Sequence, residues 1–226
     1  MTIEIWADVV CPWCYIGKRR FESALARFPH RDEVRVIHRS FELDPEAPTE
    51  LGLPLDEMLA AKYGVAAAEA RKMNARVTEL AAGEGLAYRL DIARPGNSLD
   101  AHRLVHLASA RGLDGAMVER LMKAYFTEGV PIADRESLVR CAVDVGLDAD
   151  EVRRALAGDT LTAEVRADEE RAATFGISGV PFFAIEETWG ISGAQPREAF
   201  EDALDSSWRE LHEAKTGAAG SRHRPA

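Results

Sequence analysis

Two cysteines separated by two residues, Cys11 and Cys14, stand where a strand pattern gives way to a helix pattern, and this placement limits the chain more than any other feature. Thr2 to Trp6 alternates apolar and polar residues as a half-buried strand does, and Phe21, Ala24, Leu25 and Phe28 then recur at helical spacing. Pro12 lacks an N–H and has its φ preset, so it suits the first helical position and leaves Cys11 at or beside the N-cap. Unpaired backbone N–H groups and the positive end of the helix dipole meet there, and both favour a thiolate. A cysteine so placed is expected to ionise more readily than a free one, and the thiolate is the attacking form. Cys14, one turn inside, is better shielded and suits the resolving role.

Three chemistries use such a pair. Half of a zinc site needs two more soft ligands, usually a second close pair, and the remaining cysteine, Cys141, has no such neighbour. A structural disulfide would close a very short loop in a chain of 226 residues whose 46% hydrophobic content is ample for a core. Thiol–disulfide exchange is favoured for a motif that follows a strand and opens a helix.

The segment Trp6-Ala7-Asp8-Val9-Val10-Cys11-Pro12-Trp13-Cys14-Tyr15-Ile16-Gly17-Lys18 resembles the DsbA-like thioredoxin-fold oxidoreductases, in particular their FrnE-like branch, found in bacterial cytosols and some polyketide gene clusters. Gly176-Ile177-Ser178-Gly179-Val180-Pro181-Phe182-Phe183 is similar to the family's cis-proline loop, and Gly190-Ile191-Ser192-Gly193-Ala194-Gln195 to the end of its last strand. The likeness runs from near the N-terminus to about Leu211. It implies an α/β, thioredoxin-like fold with a large all-helical insertion and catalysis by Cys11 and Cys14, tuned by Pro12 and Trp13. It also implies a cis Val180–Pro181 bond beside the pair, with the Val180 backbone free to meet an extended substrate. Taken alone, a proline at the start of a strand equally fits a plain edge position. The family places the start of one inserted helix near the active site, so Asp8, Asn97, Ser98 and His102 are expected around a substrate pocket.

One departure bears on proton transfer. Many thioredoxin-fold oxidoreductases carry a buried acid on the first strand, six positions before the first cysteine, and this chain has Ile5 there. Glu4 is adjacent, but strand alternation sends it to the other face. Asp8 lies nearer the motif, although a charge at a strand end reads first as a solvated residue.

Val34 to Phe41 reads as a second strand, and Asp44-Pro45-Glu46-Ala47-Pro48 breaks the pattern. Leu55, Met58, Leu59 and Tyr63 make one helical apolar face, and Ala70, Met73, Val77 and Leu80 another. After a loop-like stretch from Gly83 to Asn97, Ser98 is a candidate N-cap, and further helices carry Leu104, Leu121, Leu138 and Leu156. Leu161 to Phe175 leads back to a hairpin of Phe182–Ile185 and Thr188–Ile191, then to a last helix with Phe200, Leu204 and Leu211. The division expected is 1–43 and 160–214 for the two halves of the thioredoxin-like domain, 44–159 for the helical insertion, and 215–226 for a disordered tail.

A net charge of −10 and a pI near 5.2 argue against nucleic acid or an anionic membrane surface as partner. No apolar run is long enough to span a bilayer, and the strand begins without a basic n-region, so a cytoplasmic location is expected, where most thiols stay reduced. The expected partner is a dithiol or disulfide substrate, protein or small molecule. No metal or tightly bound cofactor is expected, and glutathione is a candidate co-substrate. His102 and His106, four apart, lack a third ligand and read as a polar helix face, while Cys141 beside Leu138 and Val145 reads as a buried thiol. Two other functions stay compatible. The chain also resembles kappa-class glutathione transferases and 2-hydroxychromene-2-carboxylate isomerases, which typically have serine where Cys11 stands, so a glutathione-dependent reaction or polyketide tailoring is one. A non-catalytic, chaperone-like binding module is the other.

Overall fold

A computed structural model describes residues 1–49 and 53–220, with side chains through Glu213. Strand β1 (Thr2–Ala7) runs into helix α1 (Pro12–Arg27), and β2 (Arg35–Ser40) returns parallel to β1, with α1 as the crossover that a parallel pair requires. Strand β3 (Phe182–Ile185) pairs antiparallel with the other side of β1, and β4 (Trp189–Ser192) pairs antiparallel with β3. The result is a four-stranded mixed sheet of order β2-β1-β3-β4. Between β2 and β3 the chain builds α2 (Leu55–Tyr63), α3 (Ala67–Gly83), α4 (Leu99–Ser109), α5 (Asp114–Phe126), α6 (Arg135–Val145), α7 (Ala149–Ala157) and α8 (Thr162–Thr174). Helix α9 (Arg197–Gly220) follows β4. This is a thioredoxin fold with a helical insertion.

The alternation in β1 has a cause other than half-exposure. β1 lies inside the sheet and is covered on both faces. Ile3 and Ile5 join Phe21, Phe183, Phe200 and Leu204 in an apolar layer contributed by α1, β3 and α9. Trp6 packs on the opposite face with Ala172 and Ile177, and its Nε1–H donates to the Asp168 carbonyl at 2.9 Å. Glu4 is buried there too, and it accepts from Arg39 Nε at 2.7 Å and Arg171 Nη2 at 2.8 Å. Burial alone would raise its carboxyl pKa, but the two guanidiniums outweigh it and hold the group below its ordinary value.

The segment read as a return to the second half, Leu161 to Phe175, is mostly the helix α8, packed on β2 and α4. At the hairpin, Glu186 and Glu187 have φ of 48° and 55°, as a type I′ turn demands, and β4 starts at Trp189 rather than Thr188. A left-handed non-glycine residue costs roughly 1–2 kcal/mol. Offsetting contacts exist at both positions: Glu186 accepts from the Thr2 N–H at 2.7 Å and donates its own N–H to the Thr2 carbonyl at 2.9 Å, while Glu187 pairs with Arg171 at 2.8 Å. Of the expected tail, 215–220 continue α9, and 221–226 lie outside the described residues.

A second, larger core joins α4, α5, α6 and α7 to the first turns of α1, where Cys14, Tyr15 and Ile16 meet residues such as Leu104, Leu121 and Phe126. Cys141 lies inside this core, and burial pushes its thiol pKa up. A polar bolt fixes α1 to α5. Glu119 accepts from Tyr15 Oη at 2.6 Å, from Lys18 Nζ at 2.7 Å and from the Arg19 guanidinium, while Arg20 donates to Glu84 at 2.6 Å and to the Ala194 carbonyl at 2.7 Å. The basic run after Cys14 is thus spent on holding α1 in place. Burial works to raise the Glu119 pKa, yet its donors bring it down to about 2. Because this folded-state value lies below the ordinary 4.5, the contribution is complete above that pH and is lost as pH falls toward 2. Glu119→Gln is expected to lower unfolding stability at pH 7 by about 1–2 kcal/mol, as loss of charged hydrogen bonds on a partly exposed group does. Urea titration checks it: the gap from wild type should narrow below the ordinary carboxyl pKa, and a gap constant through acid pH contradicts it.

Candidate active site

At the end of β1 the chain turns through Asp8, Val9 and Val10, and the Cys11 N–H closes the turn on the Asp8 carbonyl at 3.1 Å. Cys11 is the N-cap of α1, with extended φ and ψ of −87° and 115°, and Pro12 occupies the first helical position. Both cysteines are free thiols. The Cys11 thiol donates to the Val180 carbonyl at 3.8 Å. Cys14 is 1% exposed. Burial first, and then the Cys11 sulfur beside it, push the Cys14 pKa well above the usual thiol range, while the Asp8 backbone N–H pulls weakly the other way.

The Val180–Pro181 peptide is cis. Gly17 explains how its loop comes so close to α1. A Cβ at Gly17 would stand 3.0 Å from Pro181 Cγ and 3.4 Å from Ala194 Cα, so any side chain there would push the proline loop back by a few tenths of an ångström. The loop is tied to the end of β4 by the Gly193 N–H, which donates to the Pro181 carbonyl at 2.8 Å.

Asp8 is no solvated charge at a strand end, as its position in sequence led one to expect; it is 1% exposed. Its Oδ2 accepts from the Leu43 N–H at 2.8 Å and its Oδ1 from the Val10 N–H at 3.2 Å, so it ties the cysteine turn to the chain leaving β2. His102 Nε2 lies 3.4 Å from Asp8 Oδ1. His106 faces elsewhere, toward Asp168 Oδ2 at 3.1 Å and Ser40 Oγ at 3.2 Å. The two imidazoles therefore serve separate carboxylates, and among the described residues no cluster of His, Cys, Asp and Glu is arranged to hold a metal.

A cavity of about 570 Å³ opens beside Cys11. Asp8, Pro12, Trp13, Ser98 and Val180 border it, whereas Cys14 and His102 lie behind its wall. Asn97 is also off the wall and acts structurally: its Oδ1 accepts from the Leu99 N–H at 2.9 Å and its Nδ2 donates to the Pro45 carbonyl at 3.0 Å. Ser98 holds the N-cap position of α4 without a capping bond from its side chain. The far wall comes from the apolar faces of α2 and α3, including Met58, Tyr63 and Met73. Those faces were legible as apolar, and Tyr63 is 57% and Met73 39% exposed, with Trp13 at 41% across from them. Among the described residues, the charged groups on the wall besides Asp8 are Asp44 and Lys62. Tyr88 went unnoticed in its loop-like stretch, with no periodicity to mark it. Its hydroxyl donates to the Pro12 carbonyl at 2.7 Å and its ring stacks on Phe126, bracing the turn between the cysteines.

Residues 2–205 match the DSBA-like thioredoxin domain. The chain belongs to that family. Among solved structures it is similar to the probable DsbA oxidoreductase SCO1869 from Streptomyces coelicolor, with 45% identity and a TM-score of 0.89 over 100% of this chain and 92% of that one. It is also similar to the cytosolic disulfide reductase DsbM from Pseudomonas aeruginosa with GSH, at 22% identity and a TM-score of 0.64, covering 92% of this chain and 100% of that one. The uncharacterized protein YwbO of Bacillus subtilis (strain 168) is 28% identical over 204 residues, 89% of this chain and 94% of that protein. These neighbours are consistent with the FrnE-like branch. In this DsbA-like protein the close approach at Gly17 sets the seat of the proline loop. Gly17→Val is expected to destabilise by about 1–3 kcal/mol through overpacking, with Gly17→Ala milder, as measured by urea unfolding. Wild-type stability in Gly17→Val contradicts that packing.

Proposed function

We propose that this protein is a thiol–disulfide oxidoreductase in which Cys11 exchanges with substrate and Cys14 resolves. The observation that carries the proposal is the asymmetry of the pair. Cys11 borders the cavity at a helix N-terminus, and Cys14 is sealed behind it, 1% exposed. In the reducing direction the Cys11 thiolate attacks a substrate disulfide, one substrate thiolate leaves, and Cys14 then attacks Cys11 to release the other. In the oxidising direction a substrate thiolate attacks Cys11 of the disulfide form, and the second substrate thiol completes the exchange. Relative reduction potentials choose between them.

The Val180 backbone, beside Cys11 and next to the cis bond, would frame the substrate. The apolar wall from α2 and α3 suits a dithiol or disulfide that carries apolar groups, and a cytosolic setting is part of the same proposal. Glutathione, present with DsbM, is a candidate co-substrate rather than a resident cofactor. A second thiol enclosed one turn inside the helix that Cys11 caps favours exchange over a glutathione-dependent isomerase, whose chemistry has no use for Cys14.

Cys11→Ser is expected to abolish both insulin reduction and dithiol oxidation. Cys14→Ser should accumulate mixed disulfides on Cys11, visible by intact mass and released by dithiothreitol. Full turnover by Cys11→Ser refutes the proposal.

A further inference from the structure

Resting on the exchange reading above, we propose that the cavity beside Cys11 is a small-molecule site in which Tyr125 and Ser98 bind a neutral oxygen acceptor on an apolar thiol or disulfide. A ketone or amide carbonyl is such an acceptor. Cys11 borders the same cavity, so the reacting sulfur and the anchored oxygen belong to one ligand.

The cavity has two zones. Its rim is apolar and exposed, carrying Trp13, Leu43, Tyr63 and Met73, whereas its floor is enclosed, with Ser98 3%, Tyr125 2% and Phe126 1% exposed. At about 570 Å³ it falls within the range of cavities that surround most of a small organic ligand. An apolar pit alone says only that something apolar fits. Two hydroxyls at the floor say more.

Tyr125 Oη and Ser98 Oγ have no hydrogen-bond partner among the described residues. Neither is sealed inside protein as His102 Nε2 is, so each opens into the cavity it borders. The other enclosed tyrosines differ: Tyr15 donates to Glu119 and Tyr88 to the Pro12 carbonyl. Tyrosine hydroxyls in such settings usually find a partner, and here the partner must come from the cavity.

Charge selects the head group. Asp8, 1% exposed, borders the same cavity, and no hydrogen bond joins it to Tyr125. Burial first, and then that carboxylate, push the Tyr125 pKa up, so the phenol keeps its proton and donates. A carboxylate on the ligand would lose its water beside Asp8, a like charge, and no cation on the floor repays that cost. Lys62, the cation on the wall among the described residues, is exposed, as is Asp44, which offsets it. A neutral carbonyl oxygen has two lone pairs and can accept from one or both hydroxyls while its apolar body covers the rim.

Calorimetric titration of the wild-type protein with three naphthalenes of similar size reads the head-group preference. 2-Acetylnaphthalene is expected to bind about tenfold tighter than 2-ethylnaphthalene, the worth of one or two neutral hydrogen bonds, and tighter than 2-naphthoate. Tyr125→Phe and Ser98→Ala should each narrow that gap and together close it, while retained binding of 2-ethylnaphthalene shows that the cavity has kept its shape. In single-turnover reduction of bis(4-acetylphenyl) disulfide, the double variant should weaken half-saturation about tenfold, with far less effect on insulin reduction. Equal affinity of the wild type for the ketone and alkyl probes, tighter binding of 2-naphthoate, or a ketone preference that survives in the double variant overturns the proposal. So does an equal loss on insulin, the mark of a polypeptide site or of a merely structural role. A wild type that binds the ketone selectively yet reduces neither disulfide refutes the exchange reading and leaves the ligand site standing.

Discussion

Helix α1 is held between two cores, and this constraint organises the molecule. Phe21 and Ala24 on the later turns close over the sheet, while Cys14, Tyr15 and Ile16 face the helical insertion. A helix gripped on both sides cannot rotate to expose one thiol or hide the other. Cys11 is therefore fixed at the cavity edge and Cys14 behind it, and the Glu119 bolt and the Tyr88 brace reinforce that orientation. The asymmetry that the proposed attacking and resolving roles require is in this sense a property of packing rather than of the four-residue motif alone.

What sequence makes readable are patterns that repeat within a few residues. Pro12 after Cys11 marks the helix start, the spacing of Phe21, Ala24 and Phe28 marks the face that meets the sheet, and the run from Gly176 to Phe183 marks the loop that returns to the cysteines. Polar residues whose meaning depends on distant partners are harder. Asp8 looked like a solvated strand end because its partners, Leu43 and His102, lie 35 and 94 positions along the chain. Glu4 fitted the alternation of a half-exposed strand, yet it is buried against arginines from β2 and α8. An ion pair across the fold has no local period to betray it.

The cavity was hidden for a related reason. An apolar helical face shows that something covers it, without saying whether that is protein or ligand. On α4 and α5 the answer is protein, since Leu104, Met117, Leu121 and Met122 are all fully enclosed. On α2 and α3 the same kind of face borders open space beside Cys11, leaving Tyr63 and Met73 exposed. The insertion thus divides its labour: its later helices make the core that fixes α1, and its first two make a wall for whatever meets the thiol.

The account stands on Cys11 and Cys14 forming a reversible redox couple. Equilibration of the protein in buffers of graded reduced-to-oxidised glutathione ratio, followed by acid quench and peptide mass mapping, measures this directly. The predicted result is one two-electron transition, with the loss of two hydrogens confined to the peptide holding Cys11 and Cys14 while Cys141 stays a free thiol. Failure of that disulfide to form at any ratio, with the fold intact, contradicts the account.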